Sequence, residues 1–325
     1  MLSRTAEGLF WIGRYLERAE GLARVVDVAY HSRLERVGAR RQVAAHWEPL
    51  LAISHGRERF VRSHLRITGR AAARFLTLDT DNPNSILQCV QCARENARGM
   101  RDRITSEMWE TLNSFYLWLS ERSLMQDSSE GNLHALYAGI KERCHLFQGV
   151  ALGTMLRDEG WEFLHVGKFL ERAAITARIL EIQYPLALAQ QEAGSVDAAH
   201  QWTWLLRSLS AYEAYRKVFH LGIRPELVAE FLLYHRTFPR SVRFAVGAAE
   251  ASLKRISESP PGRYADDAER VLGWLHARLT YGMRRGAADG ELSELAPEVQ
   301  ARCAEVSDHL ADVYFAYKVP GANEA

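Results

Sequence analysis

The sequence predicts an all-α protein, a single large helical bundle built from two pseudo-symmetric, duplicated up-and-down helical units. Apolar residues recur at helical spacing, whereas the period-two alternation typical of strands is not sustained in any segment. Prolines, which interrupt helices, number only 9 among 325 residues. A third observation predicts the duplication: the segment GRYLERAE at 13–20 returns as GKFLERAA at 167–174.

The first helix is predicted from an apolar stripe that repeats every three or four positions around the first motif. The stripe consists of Leu9, Ile12, Leu16, Ala19, Ala23 and Val26. The second motif lies in an equivalent stripe, aligned without a gap, of Phe163, Val166, Leu170, Ala173, Ala177 and Leu180. Gly13 and Gly167 each cost a helix about 1 kcal/mol relative to alanine, so their recurrence indicates close approach of a partner helix. We expect the two motif helices to pack on each other.

Two further helices are predicted to be duplicated in the same order. The second match pairs Trp47, Leu50, Leu51, Glu58 and Phe60 with Trp202, Leu205, Leu206, Glu213 and Tyr215. The third match pairs Pro83, Ser85, Ile86, Val90 and Ala93 with Pro239, Ser241, Val242, Val246 and Ala249. Asn82 and Pro83 are typical of an N-cap and a first helical position, so we expect this helix to begin there.

The domain organisation follows from these ordered matches. They predict repeat 1 over residues 1–150 and repeat 2 over residues 151–320, with a frayed tail at 320–325. Because no Pro- or Ser-rich linker interrupts the boundary near 148–154, the repeats are expected to form one domain. Loops are predicted at 37–41, 189–199 and 259–264.

The composition argues against several classes of protein. Lys and Arg number 41 and Asp and Glu number 40, so the formal charge is +1 and does not attract the chain to nucleic acid or an anionic membrane. Residues 1–20 lack the uninterrupted apolar region of a signal peptide, and apolar runs elsewhere are shorter than the ~20 residues of a membrane span. Four cysteines are too few for a secreted disulfide scaffold. A cytoplasmic protein is therefore expected.

The repeated Glu-Arg pair, Glu17-Arg18 and Glu171-Arg172, allows two interpretations. Glu17 lies one turn after Gly13 and borders the apolar stripe, so it is expected to be at least partly buried. The pair is either a buried ion pair that fixes helix register, or the two glutamates converge for ligand binding or acid-base catalysis. Four cations beside the glutamates have a spacing that suits a carboxylate or phosphate and are candidate substrate-binding residues: Arg14, Arg18, Lys168 and Arg172.

A second polar cluster contains three more candidate substrate-binding residues, Arg94, Glu95 and Asn96. Mixed charges at this density are typical of a solvated face, and the alternative is the polar wall of a pocket. Cys89 and Cys92 form a CxxC without a second pair of ligands at compatible spacing, so they are expected to be core thiols. No intrinsic metal site or cofactor is predicted.

Taken together, these segments resemble the alpha-E proteins, a bacterial all-helical family named for a Glu-Arg motif. The resemblance extends over nearly the whole chain and is strongest in MLSRTAEGLFWIGRYLERAE, NPNSI, ARENAR with Trp109 and Asn113, MLRDEGWEFLHVGKFLERA and FPRSV. One position differs between the two motifs: Ala174 stands where the first copy has Glu20, so the pair of Glu20 with Arg24 is interpreted as incidental.

The resemblance implies a functional context rather than a catalytic role. Alpha-E proteins are associated with circularly permuted ATP-grasp proteins and with transglutaminase-like proteases, in systems proposed to make or modify peptides or amide-linked metabolites. The chain is therefore expected to be the companion of an ATP-grasp ligase, which would itself hold ATP and Mg²⁺, and to bind an anionic substrate or acyl intermediate.

Two alternatives stay open at this point. One is an autonomous acyl-transfer enzyme that uses Glu17 or Glu171 as general base. The other is a purely structural bundle with buried Glu-Arg pairs. The companion hypothesis predicts that Glu17→Gln and Glu171→Gln stop product formation while the free energy of unfolding changes by less than about 1 kcal/mol.

Overall fold

The structure is a computed structural model, and it describes residues 3–34, 43–122, 130–195, 198–220, 222–282 and 288–316. Within these ranges all regular structure is helical and no strand occurs. The all-α prediction is therefore confirmed. The predicted loop at 37–41 and the tail at 320–325 lie outside the described residues.

The described ranges contain fourteen α-helices in chain order. They are α1 (Ser3–Leu34), α2 (Val43–Ile53), α3 (Arg57–Ser63), α4 (Gly69–Thr77), α5 (Ile86–Arg98), α6 (Ser106–Ser120), α7 (Glu130–Thr154), α8 (Glu159–Glu192), α9 (Ala198–Ser208), α10 (Tyr212–Val218), α11 (Pro225–Tyr234), α12 (Val242–Ser257), α13 (Asp267–Tyr281) and α14 (Ala288–Leu310). A π-helical turn at Ala311–Phe315 follows α14. No helix among the described residues is long and apolar enough to cross a membrane.

Helices α1 and α8, of 32 and 34 residues, form the centre of the bundle. They pack along each other, and α8 also contacts α12 and α14 whereas α1 also contacts α5 and α7. All twelve residues of the two predicted apolar stripes are buried. Because each stripe faces a neighbouring helix rather than water, burial of apolar surface holds the two long helices in place.

The two motif glycines lie where the backbones of α1 and α8 are in close contact. A Cβ atom built on Gly13 would lie 2.2 Å from the carbonyl oxygen of Leu164, and one on Gly167 would lie 2.0 Å from that of Phe10. These separations are far below van der Waals contact, so neither position accommodates a side chain without movement of a helix. The predicted close approach of the motif helices is confirmed.

The start of α5 differs from the prediction. Ser85 is the N-cap, because its hydroxyl accepts a hydrogen bond from the backbone N–H of Gln88. The expectation that Asn82 caps the helix is wrong: its amide donates to the carbonyl of Phe75 at 2.9 Å, which holds the preceding loop against α4. Ser241 caps α12 in the same way as Ser85 caps α5. Serine therefore marks both helix starts.

The remaining connections agree in part with the sequence. The predicted turn at 259–264 separates α12 from α13. The predicted loop at 189–199 is shorter, because α8 continues to Glu192 and α9 begins at Ala198. The boundary proposed near 148–154 coincides with the end of α7. The duplication and the limits of the two repeats stay a prediction.

Candidate functional site

The glutamate of each motif forms an ion pair with the arginine of the other motif. Arg172 on α8 donates from Nε and Nη2 to the two carboxylate oxygens of Glu17 on α1, both at 2.7 Å. Arg18 on α1 donates in return to Glu171 on α8, from Nε at 2.6 Å and from Nη2 at 3.0 Å. Glu17 and Glu171 are 1% and 4% exposed. These reciprocal bidentate pairs fix the register of α1 against α8.

A second arginine completes the surroundings of Glu171. Arg14 donates from Nε to Glu171 at 2.7 Å and from Nη1 to Ser307 of α14 at 2.7 Å. Arg18 also donates from Nη1 to the side-chain oxygen of Asn84 at 2.9 Å. We call Arg14, Arg18 and Glu171 the Glu171 cluster. Its two cations and one anion leave one surplus positive charge.

The protonation state of Glu171 follows from this arrangement. Burial raises the pKa of the carboxyl group, but the charges and hydrogen bonds of Arg18 and Arg14 outweigh burial and lower the pKa to about 2. Glu171 is therefore ionised at neutral pH. A carboxylate of such low basicity is a poor proton acceptor, so the geometry favours an ion-pair role over general-base catalysis.

The lowered pKa of Glu171 gives a pH-dependent stability. Because the folded state depresses the pKa from 4.5 to about 2, the contribution of Glu171 is fully present above pH 4.5 and is lost as pH falls toward 2. We expect the free energy of unfolding, measured with urea, to fall over this interval. In Glu171→Gln the fall should be smaller than in the unaltered protein.

The comparison with Glu171→Gln is needed because other carboxyl groups titrate in the same interval. A hydrogen bond from His276 is the main cause that lowers the pKa of Glu250 to about 2. Glu250 is expected to contribute equally to both proteins, so the difference between them reports Glu171 alone. An identical pH dependence in both would contradict the prediction.

On the other side of the motif contact, Glu17 and Glu20 share one cation, Arg240. Arg240, in the loop before α12, donates to Glu17 at 3.2 Å and to Glu20 at 2.6 Å. Glu20 also interacts with Arg24 and with His145, whose Nε2 lies 2.9 Å from Oε1. Burial raises the pKa of Glu20, but Arg240, His145 and Arg24 hold it well below its usual range. The interpretation of the Glu20 pair as incidental is wrong, because this carboxylate is fully buried at the centre of the network.

A cavity of about 590 Å³ opens beside the Glu171 cluster, between α1, α8, α14 and the segment after α2. Its apolar lining includes Phe10, Trp11, Leu22, Ile175 and Phe315. Its polar lining includes Arg14, Arg18, His55, Asn84, Glu171 and Arg178. The acids Glu7 and Asp308 also line it and are exposed. The cavity therefore combines an apolar wall, partly buried cations and two exposed acids.

The electrostatics of the Glu171 cluster, at one wall of the cavity, suit an anion. The Arg14 and Arg18 side chains line the cavity and are 12% and 24% exposed. Arg178 donates to the backbone carbonyl of Ala52 at 3.1 Å and so stands at the same wall. Burial and the charges of Arg178 and Arg18 lower the pKa of His55, which keeps this imidazole neutral. A carboxylate or phosphate beside Arg14 and Arg18 would meet the one surplus positive charge of the Glu171 cluster, although the charged residues that line the whole cavity are three arginines and three acids.

The structure separates the other predicted substrate-binding cations from this cavity. Arg172 is occupied by Glu17, and its side chain is 9% exposed. Lys168 lines a second cavity of about 200 Å³, together with Leu16, Phe147 and Trp161. Burial and the charge of Arg172 lower the pKa of Lys168 to about 8. Of the four cations beside the motif glutamates, Arg14 and Arg18 are therefore the two that face the larger cavity.

Arg94, Glu95 and Asn96 do not line either cavity. Arg94 donates from Nε to Asn113 of α6 at 2.8 Å and from Nη1 to Glu95 at 2.7 Å. Its guanidinium carbon lies 4.9 Å from the ring centroid of Tyr116. Arg94 thus joins α5 to α6, and this cluster belongs to a helix contact outside the two cavities.

Sequence reasoning missed several cavity residues, including His55, Arg178, Gln300 and Ser307. For Asn84 and Arg240 a signal did exist. Each stands between the proline and the serine of a matched segment, NPNSI or FPRSV, and each binds a member of one Glu-Arg pair. The residue between Pro and Ser therefore marked a partner of the motif in both segments.

Of the two cysteines predicted to be core thiols, Cys89 lies in the core and Cys92 does not. Cys89 is fully buried and its thiol is not in a disulfide. Burial raises the pKa of the Cys89 thiol to about 12. Cys92 is partly buried and also free. Cys89 is a core thiol and does not form a reactive thiolate at neutral pH.

Comparisons with known proteins found one family model and several longer relatives. A family model described as a predicted alpha-helical domain with a conserved ER motif matches residues 1–315. Uncharacterized proteins of Mycobacterium bovis and of two strains of Mycobacterium tuberculosis are each 25% identical to the chain over 346 aligned positions, which cover 98% of it. The chain spans 37% of the length of these curated relatives. No solved structure is significantly similar to it.

Proposed function

The chain belongs to the Alpha-E family, and from this premise we propose that it is the companion protein of a circularly permuted ATP-grasp ligase in a system that forms or modifies peptide or amide bonds. In this role it docks the ligase and binds an anionic substrate or acyl intermediate in the larger cavity. ATP and Mg²⁺ belong to the partner ligase, which activates a carboxylate as an acylphosphate. A transglutaminase-like protein is a further candidate partner, and the cytoplasm is the proposed location.

The cavity beside the Glu171 cluster is the observation that supports ligand binding. Its volume of about 590 Å³ lies within the range of roughly 300–1,000 Å³ that is usual for small-molecule sites. Its mostly apolar wall with a few convergent polar groups is also typical of such sites. The surplus positive charge of Arg14 and Arg18 over Glu171 favours an anionic ligand.

Both arginines retain hydrogen-bond donors for such a ligand. A guanidinium has five N–H groups in a planar fork. The described hydrogen bonds of Arg14 use Nε and Nη1, and those of Arg18 use Nε, Nη1 and Nη2. Since each terminal nitrogen bears two hydrogens, an anion can bind beside Glu171 without displacing it.

The two exposed acids of the cavity, Glu7 and Asp308, indicate which anionic ligands fit best. Glu7 and Asp308 line the cavity and are exposed, whereas the Arg14 and Arg18 side chains are only 12% and 24% exposed. A molecule with a carboxylate at one end and an ammonium group at the other complements both charges. An amino acid or a short peptide, which could accept an acyl group through its amine, is therefore the favoured substrate class.

The greater length of the mycobacterial relatives supports a role in which this domain acts together with a second protein unit. The matched segment is 37% of each mycobacterial protein, so in those chains the domain is one part of a larger polypeptide. That arrangement is expected of a domain that acts together with another protein unit.

The partnership is tested by purifying the tagged chain gently from its native bacterium and identifying the proteins that elute with it by mass spectrometry. Recovery of an ATP-grasp protein in stoichiometric amount would support the proposal. The matched control is the same purification with an unrelated tagged bundle. Elution of the chain alone would contradict the companion role.

Substitution in the cavity tests ligand binding separately. Arg14→Gln is expected to reduce kcat/KM for ATP-dependent amide formation by the reconstituted pair at least tenfold, because a charge-assisted hydrogen bond contributes about 1.5–3 kcal/mol. The assay uses amino acids and short peptides as acceptors and follows ADP release together with the amide product.

Arg94→Gln is the matched control for Arg14→Gln, because it removes a partly buried arginine that lies outside the cavity. This variant is expected to keep nearly the full activity. Equal losses in Arg14→Gln and Arg94→Gln would indicate a general effect on the fold and would contradict a binding role for the cavity.

Two alternatives give different results. An autonomous acyl-transfer enzyme would use a chemically activated acyl donor without the ligase, but the pKa of about 2 at Glu171 argues against that residue as its base. A purely structural bundle is favoured by the complete pairing of Glu17 and Glu171 with arginines. It predicts full activity of the reconstituted pair in Arg14→Gln.

A further inference from the structure

Three potential metal-binding side chains converge at the far end of α1, away from the Glu-Arg pairs. Asp27 and His31 lie one turn apart on α1, and His134 lies on α7. The Nδ1 atom of His134 is 2.8 Å from Oδ1 of Asp27 and 2.8 Å from Nε2 of His31. The Nε2 atom of His31 is 3.6 Å from the same carboxylate oxygen. Three potential ligand atoms thus share one small volume.

Hydrogen bonds alone do not satisfy all three of these side-chain atoms. A neutral imidazole nitrogen carries either one proton or one lone pair in the plane of the ring. A single hydrogen on His134 Nδ1 would have to serve both His31 and Asp27, and a bare Nδ1 would place its lone pair against the carboxylate. A cation at the centre would instead accept electron pairs from all three atoms.

We propose that Asp27, His31 and His134 bind a divalent transition-metal ion, with Zn²⁺ as the reference ion. Two imidazoles and one carboxylate are ligands that suit Zn²⁺ and its neighbours in the first transition series, whereas Ca²⁺ and Mg²⁺ prefer oxygen ligands alone. Three protein ligands leave at least one coordination position for water or a substrate, which is typical of catalytic rather than structural zinc sites.

The surroundings hold the carboxylate in position for this role. Asp27 is 4% exposed, and Lys141 of α7 donates to its second oxygen, Oδ2, at 2.6 Å. This contact orients Oδ1 toward the imidazoles, as outer partners of metal ligands commonly do. The positive charge of Lys141 also opposes a cation, so we expect moderate rather than very tight binding.

Access to the site is open. The His31 and His134 side chains are 48% and 51% exposed, so an ion can reach both imidazoles from solvent. A bound ion would join α1 to α7 and would stabilise the folded chain, because metal binding to the folded state shifts the unfolding equilibrium. This proposal differs from the prediction, made from the sequence, that the chain has no intrinsic metal site. That prediction rested on the lack of metal-ligand motifs with local spacing.

The test uses the full chain after treatment with a chelator. Titration with Co²⁺ is expected to give visible d–d absorption at one ion per chain, and Zn²⁺ is expected to displace the Co²⁺ and to raise the melting temperature. His31→Ala and His134→Ala should each weaken Co²⁺ binding at least tenfold. Both positions are half exposed, so these variants are expected to fold.

His309→Ala provides the matched control, because His309 is a partly exposed helix histidine that lies beside Glu305 on α14. It is expected to bind Co²⁺ and Zn²⁺ as the unaltered chain does. Absence of Co²⁺ and Zn²⁺ binding would overturn the proposal. Unchanged binding in the His31→Ala and His134→Ala variants would overturn it equally.

Discussion

Glu17→Gln is expected to lower the free energy of unfolding by about 3–5 kcal/mol, the usual cost of removing one partner from a buried ion pair. Arg172 loses the anion that accepts its two 2.7 Å hydrogen bonds, and Arg240 loses one of its two carboxylate partners. Both arginines remain charged in a buried position, where unpaired charge is costly. Urea denaturation followed by circular dichroism measures the change.

Glu58→Gln is the matched control for Glu17→Gln. The Glu58 side chain on α3 is 85% exposed and lies 3.7 Å from Arg62, so its loss is expected to cost less than about 1 kcal/mol. The hypothesis from the sequence expects Glu17→Gln to be equally mild, with loss of product formation alone. A change below about 1 kcal/mol in Glu17→Gln would therefore restore that hypothesis and contradict the structural role of the pair.

Gly167→Ala is expected to destabilise the fold by about 3 kcal/mol, at the upper end of the usual cost of overpacking. The new Cβ would lie 2.0 Å from the carbonyl oxygen of Phe10 and 2.9 Å from its carbonyl carbon. These are backbone atoms of α1, so the contact is relieved only by moving one long helix away from the other. Urea denaturation of Gly167→Ala and Gly13→Ala measures the cost of that movement.

Gly149→Ala on α7 separates this contact from the general effect of glycine in helices. A Cβ at Gly149 would meet no atom within 4 Å. Alanine is the better helix former by about 1 kcal/mol, so Gly149→Ala is expected to be neutral or stabilising. The same gain in Gly167→Ala would show that α1 and α8 tolerate a wider separation and would contradict the close contact.

The Glu171 cluster connects stability with the proposed function. Arg14 and Arg18 neutralise a buried carboxylate and also face the cavity. A ligand anion would therefore be held by arginines whose positions are already fixed by Glu171, Ser307 and Asn84. Such preorganisation lowers the entropic cost of binding. The ion pair and the binding site are thus compatible interpretations of one motif.

Local periodicity was sufficient to predict much of the fold. The apolar stripes of α1 and α8 and the burial of Glu17 could be predicted, because each depends on residues three or four positions apart on one helix. The close contact at Gly13 and Gly167 could be predicted because a costly helical glycine recurs in both motifs. The cap of α5 was predicted wrongly, since Asn82 and Ser85 both have the chemistry of a cap and only the loop geometry selects between them.

The sequence by itself determined that the chain is helical and that two similar glutamates lie on the buried sides of two long helices. Only the tertiary structure decided which arginine pairs with which carboxylate and that Arg14 and Arg18 line a cavity. It also decided that Arg94 contacts α6, outside that cavity, and that His31 lies beside His134, which is 103 positions away in the sequence. The physical reason is that helical periodicity is encoded in neighbouring residues, whereas ion pairs, cavities and ligand clusters depend on how separate helices cross.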